Sequence, residues 1–189
     1  MNNLLISVTP LSQRAAAGVL SISAVFFDPL TSKLGDEFFI KIDVNSCRLA
    51  GLDVSSDSLR YWLRKQSSGV DLFSDDNKLS LRLALHALSG FIFMDSQTMS
   101  IVRQPNSLIL WGDRLDTLSN CYDVMGINSQ WERSNFRSFQ TMASVGLVLK
   151  HRWKGDSSNH PLELARDRAI YLCQLWPVIS KKNNLFRIK

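Results

Sequence analysis

The sequence is poor in cysteine and has no long hydrophobic run. Its three cysteines are far apart and include no Cys-x-x-Cys pair, so we expect neither a disulfide framework nor a zinc knuckle. No run of about eighteen apolar residues is present, which argues against a membrane span. The N-terminus has no basic flank before an apolar segment with a small-residue cleavage site. We therefore expect no secretory signal and a cytoplasmic protein.

Several catalytic signatures are also missing. The sequence contains no glycine-rich phosphate loop and no Ser/His/Asp nucleophile signature. His86 and His151 have no cysteine or acidic partner at the spacing of metal ligands. These absences argue against P-loop, triad hydrolase and histidine-zinc chemistry, and we expect no resident cofactor.

The length and composition predict a single domain with a positive net charge. A chain of 189 residues with 45% hydrophobic content is long enough for one full core. We assign residues 1–180 to a single domain and residues 181–189 to a basic tail. The net charge of +5 is compatible with binding to polyanions but indicates it only weakly.

One short segment combines positive charge with an aromatic residue. It contains Lys150, Arg152, Trp153 and Lys154. Basic residues interleaved with an aromatic can combine phosphate contact with base stacking, so these four are candidate nucleic-acid contacts. The alternative is an ordinary solvated loop, which is the commoner role of such a segment.

Patterns of apolar residues predict a mixed α/β fold. Residues 1–10, 19–27 and 37–44 are typical of strands and predict an antiparallel meander. The apolar run 108–112 predicts a buried parallel strand. Helices are predicted around residues 58–63, 78–93 and 137–149 and from Pro161 onward, and residues 95–107 form the longest irregular stretch. We expect one mixed sheet flanked by helices.

The first strand ends in a pair of hydroxyl side chains. Ser7 and Thr9 are two residues apart, so they point to the same face of the strand. Two carboxylates in this arrangement would hold a divalent metal ion. Two hydroxyls would not, because Mg²⁺ is normally held by carboxylate oxygens and water.

Four strings, in order, resemble one family over nearly the whole chain. They are residues 19–29, 58–63, 110–112 and 161–165. They are similar to strings in bacterial and phage-associated 3′–5′ exonucleases and exoribonucleases of the DnaQ-like superfamily. The resemblance implies a ribonuclease H-like fold. It also implies a site in which four acids hold two metal ions and a histidine activates the attacking water.

The resemblance breaks at the catalytic positions. Matched position by position, it puts non-acidic residues where the acids and the histidine belong: Ser7, Thr9, Ser119, Asn159 and Leu164. If no residue is inserted in the match to the family's second motif, Leu118 and not Ser119 falls at the position of the acid. His160 is one residue from the histidine position, but the match through Pro161 fixes the frame against it. The resemblance therefore implies a degenerate, catalytically inactive member that binds or regulates a nucleic acid or a protein, including a phage or prophage accessory or counter-defence role.

Three alternatives remain open from the sequence. Asp116 and Glu163 could form one weak site for Mg²⁺ or Mn²⁺, which would make the protein an active exonuclease with a relocated site. The chain could instead be a structural subunit that binds no nucleic acid. Relatives often form homodimers, and Trp131, Trp153 and Leu164 are candidate interface residues.

Overall fold

Residues 1–65, 71–74, 76–94, 108–155 and 160–186 are described by the computed structural model, with side chains as far as residue 181. Within these ranges six strands form one sheet. The strands are β1 (Asn3–Pro10), β2 (Val19–Asp28), β3 (Lys33–Ile42), β4 (Lys78–Leu79), β5 (Ile109–Trp111) and β6 (Phe136–Arg137). Their order across the sheet is β4-β3-β2-β1-β5-β6. The pairs β1/β2 and β2/β3 are antiparallel, whereas the other three pairs are parallel, so the predicted mixed sheet is confirmed.

Helices flank this sheet. In the described ranges they are α1 (Val44–Leu49), α2 (Ser56–Lys65), α3 (Leu81–Phe93), α4 (Leu115–Met125), α5 (Phe139–Val148) and α6 (Pro161–Phe186). Side-chain caps explain several of the boundaries: Ser80 accepts from the Leu83 N–H at the start of α3, and Ser138 accepts from the Thr141 N–H at the start of α5. The helix α6 continues past residue 180, so part of the predicted tail is helical.

Several boundaries differ from the sequence-based predictions; the third strand, for example, begins at Lys33 and not at residue 37. The third strand was expected to reach residue 44, but the Asp43 carboxylate accepts from two backbone N–H groups and starts α1 instead. The helix predicted from residue 78 begins after Ser80, because residues 78 and 79 pair with β3 as β4. The predicted irregular stretch 95–107 lies outside the described residues.

The two faces of the sheet pack against different helices. Leu4, Ile6, Ile22 and Phe26 point to one face and pack with α3 and α4. Leu5, Val25 and Phe27 point to the other face, where they meet the buried stripe of α6, which includes Ala165 and Ala169. The sequence spacing of three and four had predicted this stripe, and its packing on the sheet is confirmed.

Trp131 and the cysteines belong to the interior. Trp131 is only 7% exposed, and its ring centroid lies 4.8 Å from that of Tyr122. The expectation that Trp131 forms a dimer interface is therefore wrong. All three cysteines are buried and free, and burial raises the pKa of Cys121 to about 12. No described helix is both long enough and apolar enough to cross a membrane.

Candidate functional site

A cavity of about 340 Å³ opens where β1 ends. We call it the strand-end cleft. Its floor contains Ser7 and Thr9, and one wall is α2, which is held there because the Trp62 Nε1–H donates to the Pro10 carbonyl oxygen at 3.1 Å. The opposite side comes from the segment after β5 and from the first turns of α6, where Leu164 lies.

Hydroxyl side chains continue from the cleft floor onto the next strand. The antiparallel register sets Ser7 opposite Ser23 and Thr9 opposite Ser21. We call these four residues the hydroxyl ladder. The Ser21 hydroxyl donates to Thr9 Oγ1 at 2.8 Å, and the Ser23 hydroxyl has no hydrogen-bond partner within the described part of the chain. Each of the four is at most 6% exposed, so this polar surface is buried beside an apolar core.

Positive charge dominates the cleft walls. The cationic residues that line it are Lys65 of α2, Arg114 after β5 and Arg168 of α6. Arg168 follows Leu164 by four residues, which places both on one face of the helix. Among the described residues that line it, one has a carboxylate, Asp113. The cleft therefore has a surplus of positive charge.

Asp113, one of the acids that follow β5 in the sequence, lies in the cleft. Asp113 comes directly after Gly112, where an added Cβ would lie 2.5 Å from the Ile6 carbonyl oxygen, so only glycine lets this segment approach β1 so closely. The topology could have indicated this position, because the ends of neighbouring parallel strands such as β1 and β5 meet at one edge of a sheet. Asp113 Oδ1 accepts from the Gln140 N–H at 2.9 Å, and Oδ2 accepts from Arg168 at 3.3 Å.

The structure brings three of the five degenerate catalytic positions together. Ser7, Thr9 and Leu164 line the same cleft, as the resemblance implies. Ser119 is not among the residues that line it, because it lies on α4, the helix that packs on the other face of the sheet. The structure therefore does not bring Ser119 together with the other three. Asn159 lies outside the described residues.

The two candidate metal ligands occupy other environments. Asp116 is exposed in the first turn of α4, and Glu163 pairs with Arg166, whose guanidinium also binds Glu37 of β3. That contact with Arg166 lowers the pKa of the Glu37 carboxyl. Neither Asp116 nor Glu163 lines the cleft.

His160 has a structural partner at the start of α6. Its Nδ1 accepts a hydrogen bond from the Leu162 N–H at 3.1 Å, and its ring centroid lies 5.0 Å from that of Phe39. Burial lowers the pKa of His160 below the ordinary value of 6.5. The imidazole therefore caps the helix in its neutral form, and Nδ1 is engaged as an acceptor.

The predicted basic segment lies apart from the cleft. Lys150, Arg152 and Lys154 are exposed, whereas Trp153 is half-buried. The Trp153 ring lies 5.4 Å from Phe139 and 5.1 Å from Tyr171, measured between ring centroids. Trp153 therefore anchors this segment by packing, and the three cations project from it.

The donor set of the cleft does not fit two divalent metal ions. Such ions take several carboxylate oxygens, and the one carboxylate of the described lining, Asp113, is paired with Arg168 and caps α5. Over the described ranges, no three side chains of the His, Cys, Asp and Glu types are grouped closely enough to hold a metal ion. We therefore derive no catalytic step through a metal.

Comparisons with known proteins agree with the fold. Two solved structures resemble it with a TM-score of 0.50 and 10% sequence identity: "Crystal structure of cell-death related nuclease 4 (CRN-4)" and "crystal structure of full-length 3'-exonuclease". The first match covers 92% of this chain and 62% of that chain, and the second covers 93% and 81%. This chain thus spans less than two thirds of the length of CRN-4. No curated protein sequence matches.

Both of these proteins are nucleases, and their likeness fits the ribonuclease H-like exonuclease fold that the resemblance implies. The family model described as the 3'-5' exoribonuclease Rv2179c-like domain matches residues 2–176. The chain therefore belongs to the Rv2179c-like family of 3'-5' exoribonuclease domains.

Proposed function

We propose that this protein is a nucleic-acid-binding module that uses an exoribonuclease fold without two-metal hydrolysis. The observation that carries the proposal is the chemistry of the strand-end cleft. Ser7, Thr9 and Leu164 lie together where the family resemblance implies metal-binding acids. Two hydroxyls and an aliphatic side chain cannot replace carboxylates as ligands of hard divalent cations.

The expected loss in the rate of hydrolysis supports a binding function over an enzymatic one. Removal of a general base alone lowers a rate by on the order of 10²–10⁴-fold. Removal of the metal ligands takes away the charge that stabilises the attacking and leaving oxygens. When both are missing, we expect no hydrolysis by the family's route.

Positive charge supports nucleic acid as the partner. Three cations line the cleft, and Lys150, Arg152 and Lys154 are exposed on a separate segment. Cationic side chains that contact phosphates release counterions, which favours binding to a polyanion. Membership of an exoribonuclease domain family supports the same class of partner.

An active exonuclease with a relocated metal site is the second candidate. Family membership favours an enzyme, and one carboxylate, that of Asp113, does line the cleft. In this alternative Asp113, Asp116 or Glu163 would supply the ligands of one Mg²⁺ or Mn²⁺ ion. The ion pairs of Asp113 and Glu163 with arginine argue against it.

One experiment separates the two candidates. The full chain is incubated with a labelled single-stranded oligoribonucleotide, in Mg²⁺, in Mn²⁺ and in EDTA, and shortening and gel shift are both recorded. We expect a salt-sensitive shift in EDTA and no shortening in either metal. Binding should weaken about tenfold or more between low and moderate salt if several phosphates are contacted.

Variants of the candidate metal ligands and of the exposed basic segment serve as controls for this experiment. Shortening that needs metal and disappears in Asp113→Ala, Asp116→Ala or Glu163→Ala would establish the enzyme. Absence of any salt-sensitive binding would instead point to a protein partner. A Lys150→Gln, Arg152→Gln, Lys154→Gln variant tests the contribution of the exposed segment, since these residues lie outside the cleft.

A further inference from the structure

Three cations project from the same side of the segment that follows α5. Lys150, Arg152 and Lys154 are exposed, whereas His151 and Trp153, which alternate with them, are half-buried. Such alternation is typical of an extended chain, in which successive side chains point to opposite sides. The segment therefore has one inward row and one outward row. We call the outward row, Lys150, Arg152 and Lys154, the cationic ridge.

Tyr171 of α6 holds the inward row in place. Its hydroxyl donates to the His151 carbonyl oxygen at 2.7 Å, and its ring centroid lies 5.7 Å from that of His151 and 5.1 Å from that of Trp153. Tyr171 is only 4% exposed, so it anchors the segment from the interior. The segment is thereby fixed before a ligand binds, which reduces the conformational entropy lost on binding.

Gly146 of α5 leaves room for this anchor. The His151 N–H donates to the Gly146 carbonyl oxygen at 2.8 Å, so the segment passes close to the helix. A Cβ at residue 146 would lie 2.6 Å from the His151 carbonyl oxygen and would overlap the Tyr171 hydroxyl. The close approach of α5, α6 and the segment therefore depends on a glycine at this position.

The charges of the cationic ridge are not compensated by nearby acids. Residues 133–155 contain no Asp or Glu. Within the described ranges, the side chains of Lys150, Arg152 and Lys154 form no ion pair and no hydrogen bond. The ridge differs in this respect from Arg168, which pairs with Asp113 in the cleft. Its three charges are therefore available to an anionic ligand.

The ridge offers charge without a ring on which a base could stack. The Trp153 ring is turned inward and packs against Phe139 and Tyr171. Base stacking needs an aromatic side chain that faces the ligand. Lysine and arginine side chains, by contrast, contact phosphate oxygens without reading the sequence of a strand. The chemistry that fits the outward row is a series of phosphodiesters.

We propose that the cationic ridge binds successive backbone phosphates along the interior of a nucleic-acid strand, independently of its bases and of its ends. Tyr171 is the positioning residue of the ridge. This inference rests on the proposed function, because it assumes that the partner is a nucleic acid. It goes further in naming the chemical group that is recognised and in placing the contact on residues that do not line the strand-end cleft.

The test is a measurement of oligonucleotide affinity by fluorescence anisotropy over a range of salt concentrations, with the full chain in EDTA. The probes, all of one length, are a linear uridine oligoribonucleotide, its covalently closed circle, a cytidine oligoribonucleotide and a thymidine oligodeoxyribonucleotide. We expect similar affinities for all four, because a backbone contact carries no sequence information and needs no strand end. A circle that binds about tenfold more weakly than the linear strand would show that an end is recognised and would overturn the inference.

Neutralising the ridge should change the salt dependence by a defined amount. Each phosphate contact with a single strand contributes about 0.7 to the slope of log affinity against log salt concentration. The triple variant Lys150→Gln, Arg152→Gln, Lys154→Gln should therefore lower that slope by about 2 and weaken binding by about tenfold or more.

A matched control loses the same charge elsewhere on the surface. It replaces three other exposed cations with glutamine: Lys33, Arg48 and Arg60. This control should keep the slope of the wild-type protein. An equal decrease in the two triple variants would reduce the effect to net charge and would overturn the assignment to the ridge.

Tyr171→Phe tests the positioning role, because it removes the hydrogen bond to His151 and keeps the ring. It should weaken binding by a few fold, although the buried Tyr171 does not touch the ligand. The effect should disappear in the background of the ridge triple variant, because both changes then act through one contact. A Tyr171→Phe effect that is absent, or that persists in the triple variant, would overturn this role. Thermal unfolding confirms that each variant is folded.

The remaining outcomes separate this inference from the proposed function. Salt-sensitive binding that the ridge triple variant leaves unchanged would overturn the ridge and leave nucleic-acid binding intact, with the cleft as the remaining site. No binding of any of the four oligonucleotides would overturn both. Poly-glutamate that binds as tightly as the oligonucleotides would point to an acidic protein partner and would also overturn both.

Discussion

The two faces of the sheet differ in the polarity of the side chains that β1 and β2 contribute to them. On the face covered by α3 and α4, β1 and β2 contribute apolar side chains along their length, from Leu4 to Ile22. On the face covered by α6, the apolar residues Leu5 and Val25 give way to the hydroxyl ladder. Burying hydroxyl groups is less favourable than burying hydrocarbon. The first face is therefore explained by the stability of the fold, whereas on the second face Ser7 and Thr9 line the strand-end cleft.

The largest effect should come from the apolar face. Phe26 is 1% exposed, and its ring centroid lies 5.3 Å from that of Phe91. Phe26→Ala should lower the free energy of unfolding by about 3–5 kcal/mol, because it leaves a cavity in the core. Urea unfolding measures the change.

The matched change on the other face is Ser23→Ala. The Ser23 hydroxyl is buried with no hydrogen-bond partner among the described residues. Its removal should change stability by less than about 0.5 kcal/mol or be slightly stabilising. A loss above about 1 kcal/mol would mean that this hydroxyl has a partner, and the contrast between the faces would be weaker than we infer.

An effect between those of Phe26→Ala and Ser23→Ala should distinguish the ion pair in the cleft from one on the surface. Asp113 pairs with Arg168, with side chains 21% and 14% exposed, and also caps α5. Asp113→Asn should lower the free energy of unfolding by about 1–3 kcal/mol, the range for hydrogen bonds to charged groups. Thermal and urea unfolding both report this change.

Asp123 supplies the control for that measurement. It pairs with Arg133 at 2.9 Å, but the two side chains are 66% and 69% exposed. Asp123→Asn should change stability by less than about 0.5–1 kcal/mol. Equal losses in the two variants would contradict the view that the cleft is a preorganised site.

The sequence predicted the meander and α6 because periodicity alone identifies them. Strand alternation marks β1 and β2, and spacings of three and four mark the buried stripe of α6. The strands β4 and β6 have two residues each, too few for any period, and both were missed. The helix α1 was missed because its first turn was taken as the end of a strand.

The site was predictable where it lies on one element and where the family resemblance joined two elements, as it did for Leu164 of α6. Ser7 and Thr9 follow from alternation within β1. The Asp113 contact with Arg168 joins residues 55 positions apart, and no local pattern reports such a pair. Ser119 was misplaced because a match of sequence strings fixes order along the chain but not which face of α4 a residue occupies.

A pH-dependent effect concerns His160, at the start of α6. Burial lowers its pKa, so the folded protein favours the neutral imidazole more than the unfolded chain does. This contribution to stability is complete above pH 6.5 and is lost as the pH falls through the lower pKa of the folded state. Protonation also converts Nδ1 from the acceptor of the Leu162 N–H into a donor.

His160→Asn isolates that effect, because asparagine is a good N-cap and does not titrate in this range. Loss of a helix cap costs about 1 kcal/mol. The pH-dependent difference in the free energy of unfolding between the two proteins should therefore not exceed about this value. Between pH 7.5 and pH 5, urea unfolding should show the wild-type protein losing stability relative to the variant. Glu37 does not interfere, because its lowered pKa places its own contribution at a lower pH. Identical pH profiles for the two proteins would remove His160 as the titrating cap.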